Sequence, residues 1–174
     1  SEPEKPDIEE LASFIRSHRG SEGDLITFYL VRSLSAQKEA GISSPCGGGL
    51  FCMPRLEASI LCTPDGFHHD SSAIAADAEI MFLTAGPGKS ALPAPHQVPG
   101  SPDPDDDERY ADYCDEFAGL LRDMRDAGIT GHILHAQRVC PIEIERLASR
   151  KISFIIPDGG EEVQRELLEF QHTI

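Results

Sequence analysis

Residues 130–162 read TGHILHAQRVCPIEIERLASRKISFIIPDGGEE, and their reading decides the fold. Gly131–Gln137, centred on Ile133 and Leu134, predicts a strand. Pro141–Arg150 predicts a helix, because proline is favoured at a first helical position. Ile152–Ile156 is a short run, apolar except for Ser153 and bounded by turn residues, the pattern of a buried strand. Asp158-Gly159-Gly160 breaks the chain before a final helix, Glu161–Gln171, with Val163, Leu167 and Phe170 at helical spacing. Strand, helix, strand, helix is the order that builds a parallel sheet.

Working outward, the clearest helix lies just upstream. Tyr110, Tyr113, Cys114, Phe117, Leu121 and Met124 form one apolar stripe. Asp103–Glu108 supplies acids at its start, Arg122 and Arg125 lie near its end, and Gly128 follows, all as the helix dipole and a glycine stop require. Pro6-Asp7 opens another helix, with Ile8, Leu11, Ala12 and Ile15 on one face and Gly20 and Gly23 ending it. Leu25–Val31, apolar and β-branched, predicts a buried strand, and Ser35–Ala40 a short helix.

Ser43–Pro54, with three consecutive glycines, predicts a loop. Ala58–Thr63 predicts a second strand and Glu79–Thr84 a third. The helix-start signal Asp70-Ser71-Ser72 favours a parallel crossover between them over a hairpin turning at Pro64-Asp65-Gly66. Ala85–Pro104 carries six prolines, which argue against helix and central strand and predict a long covering loop. The expected fold is one domain of three-layer α/β class: a mostly parallel sheet of about five strands with helices on both faces, Rossmann-like or flavodoxin-like.

Composition narrows the functions. The chain has 174 residues, enough for one normal core, and 40% of them are hydrophobic, which excludes global disorder. No apolar run approaches the roughly 20 residues of a membrane helix, and the N-terminus lacks a secretory leader's basic and apolar regions, so no membrane association is expected. The formal net charge of −15 repels phosphate backbones and disfavours nucleic acid as a partner. Five cysteines, an odd and sparse set, suit a reducing, cytoplasmic setting.

Parallel sheets bind ligands outside the carboxyl ends of their strands. With Glu79–Thr84, Gly131–Gln137 and Ile152–Ile156 as parallel strands, three segments should share one rim: Gly86, Gly88, Lys89 and Ser90; Arg138 and Cys140; Asp158, Gly159 and Gly160. Cys140, at a helix N-cap, is the expected nucleophile, since amides and dipole there lower a thiol pKa. Lys89, Arg138 and the glycine-turn amides would hold a small anionic molecule. No motif specifies a cofactor. Cys140 and Arg146 match the C-x5-R spacing of cysteine phosphatases, but the intervening Pro-Ile-Glu-Ile-Glu lacks glycine and adds two carboxylates. Gly86–Ser90 ends like a phosphate loop but lacks its first glycine and the following helix. Cys46, Cys52, His68 and His69 form a weaker zinc-ligand set of unusual spacing. His132 and His135 lie on opposite strand faces and read as hydrogen-bonded histidines. The alternative function is a non-catalytic domain that binds a protein partner.

Overall fold

The computed structural model describes residues 7–17, 24–149, 151–157 and 160–171; Gly20, Gly23, Asp158 and Gly159 lie outside them. The described elements are α1 (Ile8–Ser17), α2 (Leu25–Glu39), β1 (Cys46–Gly48), α3 (Met53–Ser59), β2 (Ile60–Thr63), β3 (Gly66–His69), α4 (Ser72–Ala85), β4 (Gly88–Pro93), α5 (Asp107–Asp126), β5 (Ile129–His135), α6 (Pro141–Leu147), β6 (Ile152–Ile155) and α7 (Glu161–Phe170). Four strands form one parallel sheet in the order β1-β4-β5-β6, and β2 and β3 form an antiparallel hairpin. The α/β class and the parallel sheet stand as expected. The strand order never reverses, so the sheet has no topological switch point of the doubly wound kind.

The C-terminal half follows the periodicity closely; the chain before it overturns five expectations. Leu25–Val31 is the start of helix α2, not a strand. Asp24 caps it, accepting from the Thr27 amide at 3.0 Å, and Thr27, Phe28, Leu30 and Leu34 are its buried face. Glu79–Thr84 is likewise the end of helix α4, whose buried residues Ile74, Asp77, Ala78 and Met81 follow a helical spacing. The favoured crossover after Thr63 is replaced by the hairpin, with Thr63 opposite Gly66.

The glycine run and the proline-rich segment each supply a strand. Gly47 lies in β1, where a Cβ would come within 2.5 Å of Met81 in α4 and 3.3 Å of Leu34 in α2. Gly48 has φ of 99° and leaves no room for a Cβ against the Ala91 carbonyl. Helix layer and neighbouring strand thus approach more closely than a side chain allows. β4 occupies the middle of the sheet, between Pro87 and Pro93. Its odd-numbered backbone groups point to β1, as in Lys89 N–H to Pro45 O and Gly49 N–H to Ala91 O. Pro93 would point its missing N–H the same way, but β1 has ended at Gly48, opposite Ala91, so no bond is lost.

Helices α2, α4, α5 and α6 cover the sheet face that carries Ser90, Leu92, His132, Leu134 and Phe154. Gly47 abuts α2 and α4, His132 Nε2 donates to the Leu121 carbonyl of α5 at 2.9 Å, and α6 bonds to α5 through Glu143 and Tyr110. This is the arrangement that right-handed crossovers stepping one way across a sheet produce. Arg55 of α3 ties the helices together, bonding Asp77 of α4 at 2.7 Å and the capping residue Asp24 at 2.7 Å.

Both sheet edges are closed by glutamine carboxamides acting as surrogate peptide groups. Gln37 accepts from Cys46 N–H at 2.9 Å and donates to Cys46 O at 2.8 Å at the β1 edge. Gln171 does the same for Phe154 on β6, at 2.7 and 2.6 Å, and Gln164 donates to Ile156 O at 2.9 Å. Capping the open hydrogen-bonding groups of an edge removes a template for strand addition. Gln171→Leu leaves one buried N–H and one buried C=O unpaired. It should cost about 2 kcal/mol by urea unfolding and raise concentration-dependent association in light scattering; an unchanged unfolding midpoint refutes the surrogate role.

His132 is buried in the core, with Nε2 donating to Leu121 O and Nδ1 accepting from the Ser90 hydroxyl at 2.7 Å. Burial holds the imidazole down to about 4 from 6.5, against the bond to Leu121. Above about pH 6.5 it is neutral folded or unfolded and contributes no pH dependence. As pH falls from about 6.5 to about 4, the unfolded chain takes a proton that the folded chain does not. Stability should fall over that window by up to about 3 kcal/mol. Urea titrations at pH 7 and pH 4.5 should show this loss in the parent and a smaller one in His132→Gln.

Candidate functional site

The carboxyl ends of β4 and β5 meet at one buried carboxylate. β4 leaves the sheet through Ala94 and enters a single 3-10 turn at Pro95–Gln97. That turn is pinned twice to the Ala136 end of β5: Ala94 N–H donates to His135 O at 2.8 Å, and the Gln97 carboxamide donates to the same carbonyl. His96 is thereby aimed at α6. Its N–H donates to Glu143 Oε1 at 2.8 Å, and its Nδ1 lies 2.9 Å from the same oxygen. The Tyr110 hydroxyl, from the first turn of α5, donates to that oxygen as well.

Glu143 is 0% exposed, in the first turn of a helix that begins at Cys140 and Pro141. Burying a carboxylate is costly unless it is paired and hydrogen-bonded. Oε1 is fully served by three donors. Oε2 is not: together with His96 Nε2 it is buried without a hydrogen-bond partner among the described residues. A carboxylate oxygen accepts, so Nδ1 carries the proton and Nε2 is the ring nitrogen left free. This is the carboxylate–histidine arrangement that fixes an imidazole for proton transfer.

Neighbouring groups are held neutral. Burial pushes the Tyr110 phenol far up, and the Glu143 charge pushes it further. Burial and the same charge raise the Cys114 thiol. Cys140 caps α6 as expected, but it is buried, and that burial raises its thiol. The Glu143 and Ile142 amides and the Arg138 charge oppose the rise without cancelling it. The helix-start effect anticipated from sequence is present, and desolvation outweighs it.

The expected rim does not assemble. Gly86 ends α4 with φ of 80°, and Gly88, Lys89 and Ser90 begin β4. Gly88 pairs with Ile129, the first residue of β5, whereas Cys140 lies beyond the last. The glycine-lysine segment and the cysteine-proline junction therefore sit at opposite ends of the parallel strands. The cause is the displaced strand: Gly86–Ser90 enters a strand where it was expected to leave one. Lys89 is exposed, and Ser90 is fully buried against His132. Arg138 is exposed on the β5 exit, at the same end as Cys140, and Gly160, exposed, caps α7.

Of the zinc-ligand set, Cys46 lies in edge strand β1, Cys52 is buried ahead of α3, His68 is exposed, and His69 binds Glu116. Among the described residues no group of three or more histidine, cysteine, aspartate or glutamate side chains is placed to hold a metal ion.

Sequence reasoning missed His96, Glu143 and Tyr110 as one unit. One signal was available. Cys140, Glu143, Ile144 and Leu147 share a helix face, so an acid stood on an apolar stripe and required a partner. No protein-family model, curated protein or solved structure matches the chain. Tyr110→Phe should cost about 1–2 kcal/mol in urea unfolding. Glu143→Ala, which strands three donors, should cost about 3 kcal/mol or more; equal, near-zero effects would contradict the network.

Proposed function

We propose that the protein binds a small anionic molecule at the carboxyl edge of its sheet and acts on it by acid–base chemistry. His96 is the acid–base group, Glu143 orients it, and Cys140 lies at the start of the same helix as Glu143. The observation that carries this reading is the pair of buried, unpartnered atoms, His96 Nε2 and Glu143 Oε2, where β4 and β5 end. Uncompensated buried polar atoms cost stability and concentrate at functional sites. Arg138 supplies positive charge on the same exit. With its thiol raised, Cys140 would attack only after losing its proton to a base, the role assigned to His96. Five cysteines without a disulfide suit a reducing, cytoplasmic setting. No described helix is long and apolar enough to cross a membrane.

The rival reading is a non-catalytic domain that binds a protein partner. Exposed Ile42, Phe82 and Leu83 favour it, because they follow or end α2 and α4, which Lys38 Nζ joins through the Thr84 carbonyl at 3.3 Å.

The test is an NMR titration of the full chain with inorganic phosphate and with acetate. Shifts should concentrate at His96, Arg138 and Cys140, and His96→Ala should abolish them. In parallel, alkylation of Cys140 by iodoacetamide should slow about tenfold or more in that variant. Perturbations confined to other residues, or an unchanged alkylation rate, would sink the acid–base reading.

A further inference from the structure

The site around Glu143 is short of hydrogen-bond donors, and that shortage limits what it can bind. Three hydrogens converge on Glu143 Oε1: the His96 backbone N–H at 2.8 Å, the His96 Nδ1–H at 2.9 Å and the Tyr110 hydroxyl. None of them serves Glu143 Oε2, which is buried without a partner among the described residues, as is His96 Nε2. The His96 side chain is 6% exposed and that of Glu143 less still, so bulk water does not supply what is missing. The nearby Gln97 carboxamide is engaged with the His135 carbonyl.

The two free atoms have the same character. A carboxylate oxygen can only accept, and an imidazole that donates from Nδ1 presents a lone pair at Nε2. Each is the second heteroatom of a group whose first takes part in the 2.9 Å bond, so both lie within reach of one small molecule. An anionic group seated there would meet two acceptors and a buried carboxylate, with no hydrogen to share. A hydroxyl brings one hydrogen and satisfies one acceptor. An amine or ammonium brings enough for both, and an ammonium also offsets the carboxylate charge. Positive charge stands on the other side of the Cys140 junction: Arg138 is exposed, yet near enough for its charge to act on the Cys140 thiol.

We propose that the ligand of this edge is bifunctional: an amine or ammonium end donates to His96 Nε2 and Glu143 Oε2, and an acidic end lies toward Arg138. This rests on the anion-binding proposal for the same site and narrows its substrate class to small amino acids and related amino-bearing anions. The ligand reaches the pair past the Pro95–Gln97 turn, in which His96 and Gln97 are only part-buried as residues.

The experiment is NMR titration of the full chain with glycine, glycolate and acetate at pH 7, where glycine carries both an ammonium and a carboxylate. All three present a carboxylate; they differ in the donor beside it. Glycine should shift His96, Arg138 and the Ala94–Val98 backbone and bind about tenfold or more tightly than acetate, with glycolate between them. Glu143→Gln keeps one oxygen for the three donors and turns the free acceptor into an N–H donor, so it should bring glycine down to the level of acetate. The three-probe series on the parent decides the matter without any variant. Acetate binding at His96 as tightly as glycine would overturn the amine assignment and leave the anion-binding proposal standing. No shift at His96 from any of the three would overturn both.

Discussion

The pairing of β4 on both sides is the constraint on which the remaining structure depends. Once Gly88–Pro93 lies between β1 and β5, the alternation of its side chains is fixed. Ser90 and Leu92 must face the helices, and Lys89 and Ala91 the other side. Ser90 then stands opposite His132, which explains a hydroxyl–imidazole pair in an otherwise apolar core. The same pairing ends β4 beside His135, whose carbonyl holds the next turn and aims His96. Strand register, core polarity and candidate site are consequences of one insertion.

That insertion was the least legible feature of the sequence. Where an element interacts chiefly within itself or with its neighbour in the chain, periodicity suffices: α5, β5, α6, β6 and α7 follow their apolar spacing with small shifts at the ends. β4 and β1 are specified by what surrounds them. The two glycines of β1 answer to Met81, Leu34 and Ala91, none of which is close in sequence. Pro93 is tolerated only because the adjacent strand is one residue too short to need its N–H. α2 misled for another reason. A short apolar run fits a buried strand as well as the first turns of a helix, and the Asp24 cap that decides between them shows itself only through its bond to Thr27.

The candidate site was half legible. Cys140 at the start of α6 and Arg138 beside it were read at the right end of the sheet. Glu143 stands where a local capping acid would, in the first turn of α6, and its partner is instead 47 residues away, at His96. A capping acid and a core acid occupy the same position in a helix's first turn; the difference is whether that turn faces water. Here it faces Tyr110, and desolvation turns a modest helix-start preference into the dominant local field.

That field also orders the chemistry the site can support. A buried negative charge favours neighbours that stay neutral, and it penalises ionisation of the phenol and thiols packed around it. Tyr110, Cys114 and Cys140 are all raised for this reason combined with burial. A resting thiolate is therefore the wrong species to expect beside Glu143, whatever the helix dipole contributes. The imidazole of His96 bonds Glu143 through Nδ1 and leaves Nε2 without a partner among the described residues. The electrostatics that argue against a pre-ionised cysteine thus leave His96 Nε2 as the free acceptor on which the proposed acid–base reading rests.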